Sequence, residues 1–182
     1  MFCCTDVSGR AGVLSMELND ALDRLLVSYR RYYDIERDHP TPPFAAEAVF
    51  SLHDEGYVLL RSAKIAEQDC REYVFFALLP LLDEGEARRL SELAWAECLR
   101  RTEPGEHHRS TEAQLVILCQ GMTEEAARLV RRTNPYKSYR LGLRGWSSMK
   151  WIACDIETGR AVWNRRGGDL RRVVCAQVRQ GS

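Results

Sequence analysis

The chain has 182 residues, 26 basic and 26 acidic, with 45% hydrophobic and 29% charged positions. It is long enough to bury one substantial core, and too apolar at zero net charge to be a disordered chain. The zero hides a split: residues 1–127 hold 13 basic and 23 acidic side chains, a balance of −10, and residues 128–182 hold 13 and 3, a balance of +10. Such a split marks either a face for an anion or two halves that attract each other within one fold.

The first 15 residues lack the basic start and apolar stretch of a secretory signal and read as a disordered leader. Residues 16–182 read as a single α+β domain. From Met16 to about Asp34, Leu18, Leu22, Leu25, Leu26, Tyr29 and Tyr33 form the stripe of an amphipathic helix, with Ser15 as its cap. His39 to Pro43 stops any helix. Ala46–Leu52 and Tyr57–Ser62 flank His53-Asp54-Glu55-Gly56 as a hairpin, and Arg71–Leu79 is a central strand. Asp83 caps a helix to about Arg101, with Glu86 as its capping-box partner. Gln114–Cys119 is a buried strand, and Thr123 caps a helix that Asn134-Pro135 ends.

The tail reads as a β-meander: Tyr139–Leu143, Met149–Ile156, Ala161–Trp163 and Leu170–Val178, with turns at Glu157-Thr158-Gly159 and Gly167-Gly168. The order α-β-β-β-α-β-α-β-β, with one further strand, predicts an α+β class: a mixed, mostly antiparallel sheet with helices packed on it.

Seven cysteines, an odd number with no CxxC pair, suit a reducing cytoplasm. Cys98, Cys119, Cys154 and Cys175 lie among apolar residues and read as buried hydrophobes. No spacing implies a structural zinc, a phosphate loop or a nucleophile elbow, so neither a metal nor a cofactor is expected. The longest apolar run, Val74 to Leu82, is far below the roughly 20 residues of a membrane span.

The most distinctive stretch interleaves Tyr136, Tyr139, Trp146 and Trp151 with Lys137, Arg140, Arg144 and Lys150. Trp163, Arg165, Arg166, Arg171 and Arg172 extend it. Rings that stack and cations that neutralise phosphate suit nucleic acid or another anionic partner, such as an acidic protein or a lipid surface. The same alternation also suits core rings with a solvated basic face, and both readings stay open. The expected function is therefore a non-catalytic binding or accessory protein using this stretch. Dimerisation through an exposed sheet or the first helix is a further alternative.

The opening α-β-β-β-α-β order resembles the core of the PD-(D/E)xK nuclease-like fold, over about residues 16–120 and by topology alone. That resemblance implies an alternative function, an atypical metal-dependent phosphodiesterase. Glu72 would be an acidic member, with Glu47 or Asp54 as a second carboxylate; Val74 stands where the motif has lysine, and Lys64 lies nearby. His108, beside His107 in a polar loop, is a further catalytic candidate. A second resemblance covers most of residues 16–175. Ala63-Lys64-Ile65, Glu72 to Phe76, His108-x-x-Thr111, Tyr136 to Tyr139, Gly145-Trp146 and Asn164-x-x-Gly167 look like a group of uncharacterised bacterial proteins. It carries over no catalytic residue.

Overall fold

The computed structural model describes residues 7–50, 69–106 and 108–179. Their elements in chain order are α1 (Val7–Tyr29), β1 (Tyr33–Glu36), β2 (Ala46–Phe50), β3 (Asp69–Leu79), α2 (Glu84–Arg101) and β4 (His108–Cys119). There follow α3 (Glu124–Arg132), β5 (Tyr136–Ser138), a 3-10 turn at Arg140–Gly142, β6 (Trp146–Asp155), β7 (Ala161–Trp163) and α4 (Gly168–Arg179). The strands form one mixed sheet in the order β1-β2-β3-β4-β6. On the outer side of β6, β5 pairs its start and β7 pairs its end.

The α+β class stands. The two long pairings, β3 with β4 and β4 with β6, are parallel, and the remaining four are antiparallel. Parallel neighbours need a crossover, and α2 and α3 supply the two. Strand parity divides the core. Phe75, Ala77, Leu115, Ile117, Met149 and Trp151 face α2 and α3, packing on Ala87, Leu90, Ala94, Ala126 and Val130. Val74, Phe76, Val116, Leu118 and Ile152 face α1 and α4, packing on Leu22, Leu25, Leu26, Leu170 and Val174. Burial on both faces explains the nearly continuous apolar runs of the central strands.

Local chemistry sets the helix starts. Asp83 accepts from the Glu86 N–H at 2.8 Å, and Thr123 accepts from the Ala126 N–H at 3.2 Å. The Glu86 carboxylate does not reach back as a capping box would have it; it bonds Arg89 instead.

Several boundaries differ from the sequence reading. The first helix begins at Val7, so Ser15 lies within it, and it ends at Tyr29. Tyr33, which fits the helical stripe, opens β1 and meets Tyr29 edge-on at 5.1 Å. β4 begins at His108, six residues before the expected Gln114, because its polar first half is already paired with β3 and, from Ser110, with β6. Tyr139–Leu143 is no strand: Leu141 and Leu143 alternate as exposed residues of a turn, with Arg140 and Leu141 at φ 47° and 56°. Leu170–Val178 is helical, because Leu170, Val174 and Val178 recur every four residues and all three are buried against α1. The tail is therefore a hairpin, an edge strand and a helix, not a meander. The expected strand Tyr57–Ser62 and its turn His53–Gly56 lie outside the described residues, as does Lys64.

One ion-pair network ties the end of α2 to the sheet. Arg101 bonds Glu97 at 2.6 Å and Glu47 at 2.8 Å, and its guanidinium lies over the rings of Tyr73 and Phe75. Hydrogen bonds from Arg100 and Arg101 hold the Glu97 carboxyl down at about 2. Its ordinary value is 4.5. Glu97 therefore stabilises the fold above about pH 4.5, and that contribution is lost as pH falls toward 2. Urea unfolding between pH 5 and 3 should show a shallower acid loss for Glu97→Gln than for the parent. Arg101→Met should cost about 3 kcal/mol, because it leaves the buried Glu47 carboxylate without a counter-ion.

Candidate functional site

β5 is a sheet edge, and Tyr136, Lys137 and Ser138 are all exposed. The Tyr136 ring stacks on Trp146 with centroids 6.3 Å apart. The Arg166 guanidinium sits 5.3 Å above the Tyr136 ring, and the Lys137 ammonium sits 5.4 Å above Tyr139. Arg171 covers the Trp163 ring at 4.8 Å. Ring faces attract these cations without neutralising them.

Among the described residues, most cations of this edge are left without an ion pair: no carboxylate pairs with Lys137, Arg140, Arg144, Arg165 or Arg166. Many acidic side chains are instead paired on their own helix: Glu84 pairs Arg88, Glu86 pairs Arg89 and Glu97 pairs Arg100 and Arg101 along α2. Glu125 pairs Arg128 along α3. Arg160 is drawn off to Glu124 at 2.7 Å.

Two supports hold the edge in shape. The first is Asn164, whose amide donates to the Thr133 and Met149 carbonyls at 3.0 Å and accepts from the Trp151 N–H at 3.1 Å. It clamps the 164–167 turn between the end of α3 and β6, and the Arg165 N–H adds a bond to Asn134. Gly167 closes the turn against β6, where a Cβ would lie 2.7 Å from the Trp151 carbonyl oxygen. The second is His108. Its Nδ1 meets the Arg144 carbonyl and its Nε2 meets the Thr111 hydroxyl, both at 2.9 Å. Gly145 passes so close that a Cβ would fall 2.5 Å from the Arg109 carbonyl oxygen, at a φ of +79°. The Tyr139 hydroxyl and Ser147 share a bond of 2.9 Å. With both ring nitrogens engaged, His108 ties the 139–145 turn to β4.

Lys150 does not belong to this edge. It lies on the α1 and α4 face, where its ammonium bonds Glu112 at 2.6 Å and Asp169 at 2.7 Å. Burial opposes the charged form of Lys150, but those two bonds outweigh it and hold its pKa above the ordinary value. Burial pushes the Glu112 carboxyl up in spite of Lys150. Glu112 faces Glu72 directly across the parallel ladder, a like-charge pairing that costs stability unless it is screened. Glu72 accepts from the Tyr33 hydroxyl at 2.5 Å and from the Gln114 amide at 3.0 Å. Burial and the Glu72 charge drive the Tyr33 pKa upward.

This interior cluster was missed in the sequence. Its available signals were the shared parity of Glu112 and Gln114 and the single charge of Lys150 inside an apolar run. Glu47, the other carboxylate considered beside Glu72, points to the opposite face and is held by Arg101 and the Thr41 N–H. Asp54 lies outside the described residues. Among the described residues, no group of three His, Cys, Asp or Glu side chains is arranged to hold a metal ion. No helix among them is long and apolar enough to cross a membrane. Burial raises the Cys98 and Cys119 thiols to about 12, which marks both as packing groups.

The chain belongs to a family defined by a domain of unknown function, DUF8052, whose model matches residues 17–176. No curated protein and no solved structure matches it. Four of the short motifs quoted above meet at the basic edge: His108 with Thr111, Tyr136 to Tyr139, Gly145-Trp146, and Asn164 with Gly167. Ala63 to Ile65 lies outside the described residues. For the interior cluster the expectation is energetic. Lys150→Met should destabilise the fold by about 3 kcal/mol, and Glu112→Gln in the same chain should restore about half of it. Strictly additive losses in urea titrations of the single and double variants would show the two side chains to be uncoupled.

Proposed function

We propose that this protein is a binding protein, not an enzyme, and that its β5 edge contacts an anionic partner. The observation that carries the reading is the state of the cations. Lys137, Arg140, Arg144, Arg165 and Arg166 have no carboxylate partner among the described residues, and Lys137 and Arg166 lie over aromatic faces. A cation held over a ring keeps most of its charge available to a third group, and the ring fixes where it sits. The zero net charge of the chain does not oppose this, because many carboxylates on α2 and α3 are paired with arginines of the same helix. The cysteine usage of the sequence favours the cytoplasm as the compartment.

The reading requires several cations to act together, so affinity should fall steeply with salt. Heparin, a polyanion without sequence, is a suitable probe. The parent should be retained on a heparin column. A variant with Lys137, Arg140, Arg144 and Arg166 replaced by Gln should elute at much lower salt. Arg88→Gln with Arg89→Gln removes two exposed but paired cations from α2 and should leave elution almost unchanged. Equal losses from both variants would mean that total charge, not this edge, sets retention.

A further inference from the structure

We propose that the anionic partner is a lipid surface, and that the 139–145 turn is the element that enters it. The inference rests on the reading above and names its partner.

The turn presents two aliphatic side chains to water: Leu141 is 100% exposed and Leu143 is 84% exposed. They are flanked by Arg140 and Arg144, with Lys137 behind. Single exposed leucines are ordinary on any surface, but here the backbone is bent to expose them. Arg140 and Leu141 both take left-handed φ, at 47° and 56°, a region that side chains with a Cβ avoid. Strain of this kind persists only where the surroundings impose it.

They do impose it. Gly142 and Arg144 both donate to the Tyr139 carbonyl, Leu143 donates to Arg140, and Tyr139 donates to Gly145. His108 then holds the Arg144 carbonyl from behind, and Gly145 is pressed against β4 with no room for a side chain. The tip is thus a hydrogen-bonded support for two leucines flanked by Arg140 and Arg144. Among the described residues, Glu106 is the one carboxylate lining the cavity of about 260 Å³ behind the turn.

A soluble polyanion could use the cations and the rings, but it offers nothing to two leucines at the tip. An anionic bilayer answers every part of the arrangement. The leucines enter the acyl boundary, the arginines and Lys137 meet lipid phosphates, and Trp146 and Tyr136 sit at headgroup level. No segment has to span the bilayer; the turn lies on it.

Co-sedimentation of the full chain with vesicles tests this, using phosphatidylglycerol mixed with phosphatidylcholine against phosphatidylcholine alone. The parent should bind only the vesicles that contain phosphatidylglycerol. Leu141→Ser with Leu143→Ser should weaken that binding at least about tenfold while leaving heparin retention intact. Arg140→Gln with Arg144→Gln should weaken both. Arg140, Leu141 and Leu143 are exposed and Arg144 is half-buried, and circular dichroism with a thermal melt checks that each variant folds. Vesicle binding unchanged by the leucine substitutions would overturn the lipid assignment and leave the anion reading standing. Binding to heparin or a single-stranded oligonucleotide, with no vesicle binding, would overturn it in favour of a soluble polyanion. A dimer that the leucine substitutions dissociate, again without vesicle binding, would assign the tip to a second copy of this chain. Heparin retention indifferent to the edge cations would remove the underlying reading and this one with it.

Discussion

The basic edge depends on one buried amide. The Asn164 side chain satisfies two carbonyls and one N–H from two places in the chain: Thr133 at the end of α3, and Met149 and Trp151 in β6. The Met149 and Trp151 groups would otherwise be buried without a partner, which typically costs about 1–3 kcal/mol apiece. The clamp determines where Arg166 can stand. Because Asn164 fixes its turn against the end of α3, Arg166 lies over Tyr136, the first residue of the strand that leaves α3. A buried polar contact on the inside thereby sets the position of an exposed cation on the outside.

The same logic separates two kinds of charge in this molecule. On α2, acidic and basic residues three and four apart cancel along one surface, which stabilises a helix slightly and leaves little field. Under the sheet, Lys150 screens Glu112 and Asp169 in a half-buried cluster and contributes nothing to the exterior. At the β5 edge the cations meet rings. Only the last arrangement leaves charge facing outward. The balance of +10 in residues 128–182 therefore overstates the field of the tail, since Lys150 and Arg160 are consumed by acidic partners.

Much of the architecture was legible in periodicity. The stripe from Leu18 to Tyr29 and the caps at Asp83 and Thr123 read correctly, because each depends on neighbours within one turn. Tyr33 did not, since it satisfies a helical stripe and a strand equally well and the pairing with Phe50 decides between them. Leu170 to Val178 reads as a strand because of its adjacent valines, while the spacing of Leu170, Val174 and Val178 by four belongs to a helix. Of the proposed edge, Tyr136, Lys137, Tyr139, Arg140, Arg144, Trp146, Arg165 and Arg166 were visible as residue types. Their relation to one another was not, because it is created by Asn164 and His108, whose partners lie up to 36 residues away. Lys150 reads as part of the edge because sequence alone does not say which way a strand residue points.

Counting the cations that act at the edge decides whether it works as one surface. Tryptophan fluorescence, titrated with heparin at a series of sodium chloride concentrations, yields that count from the slope of log affinity against log salt. Four cations engaged together predict a slope of about −3, and Arg166→Gln should make it about one unit shallower. A flat salt response, or a slope unmoved by losing Arg166, would contradict a preformed basic edge held in place by Asn164.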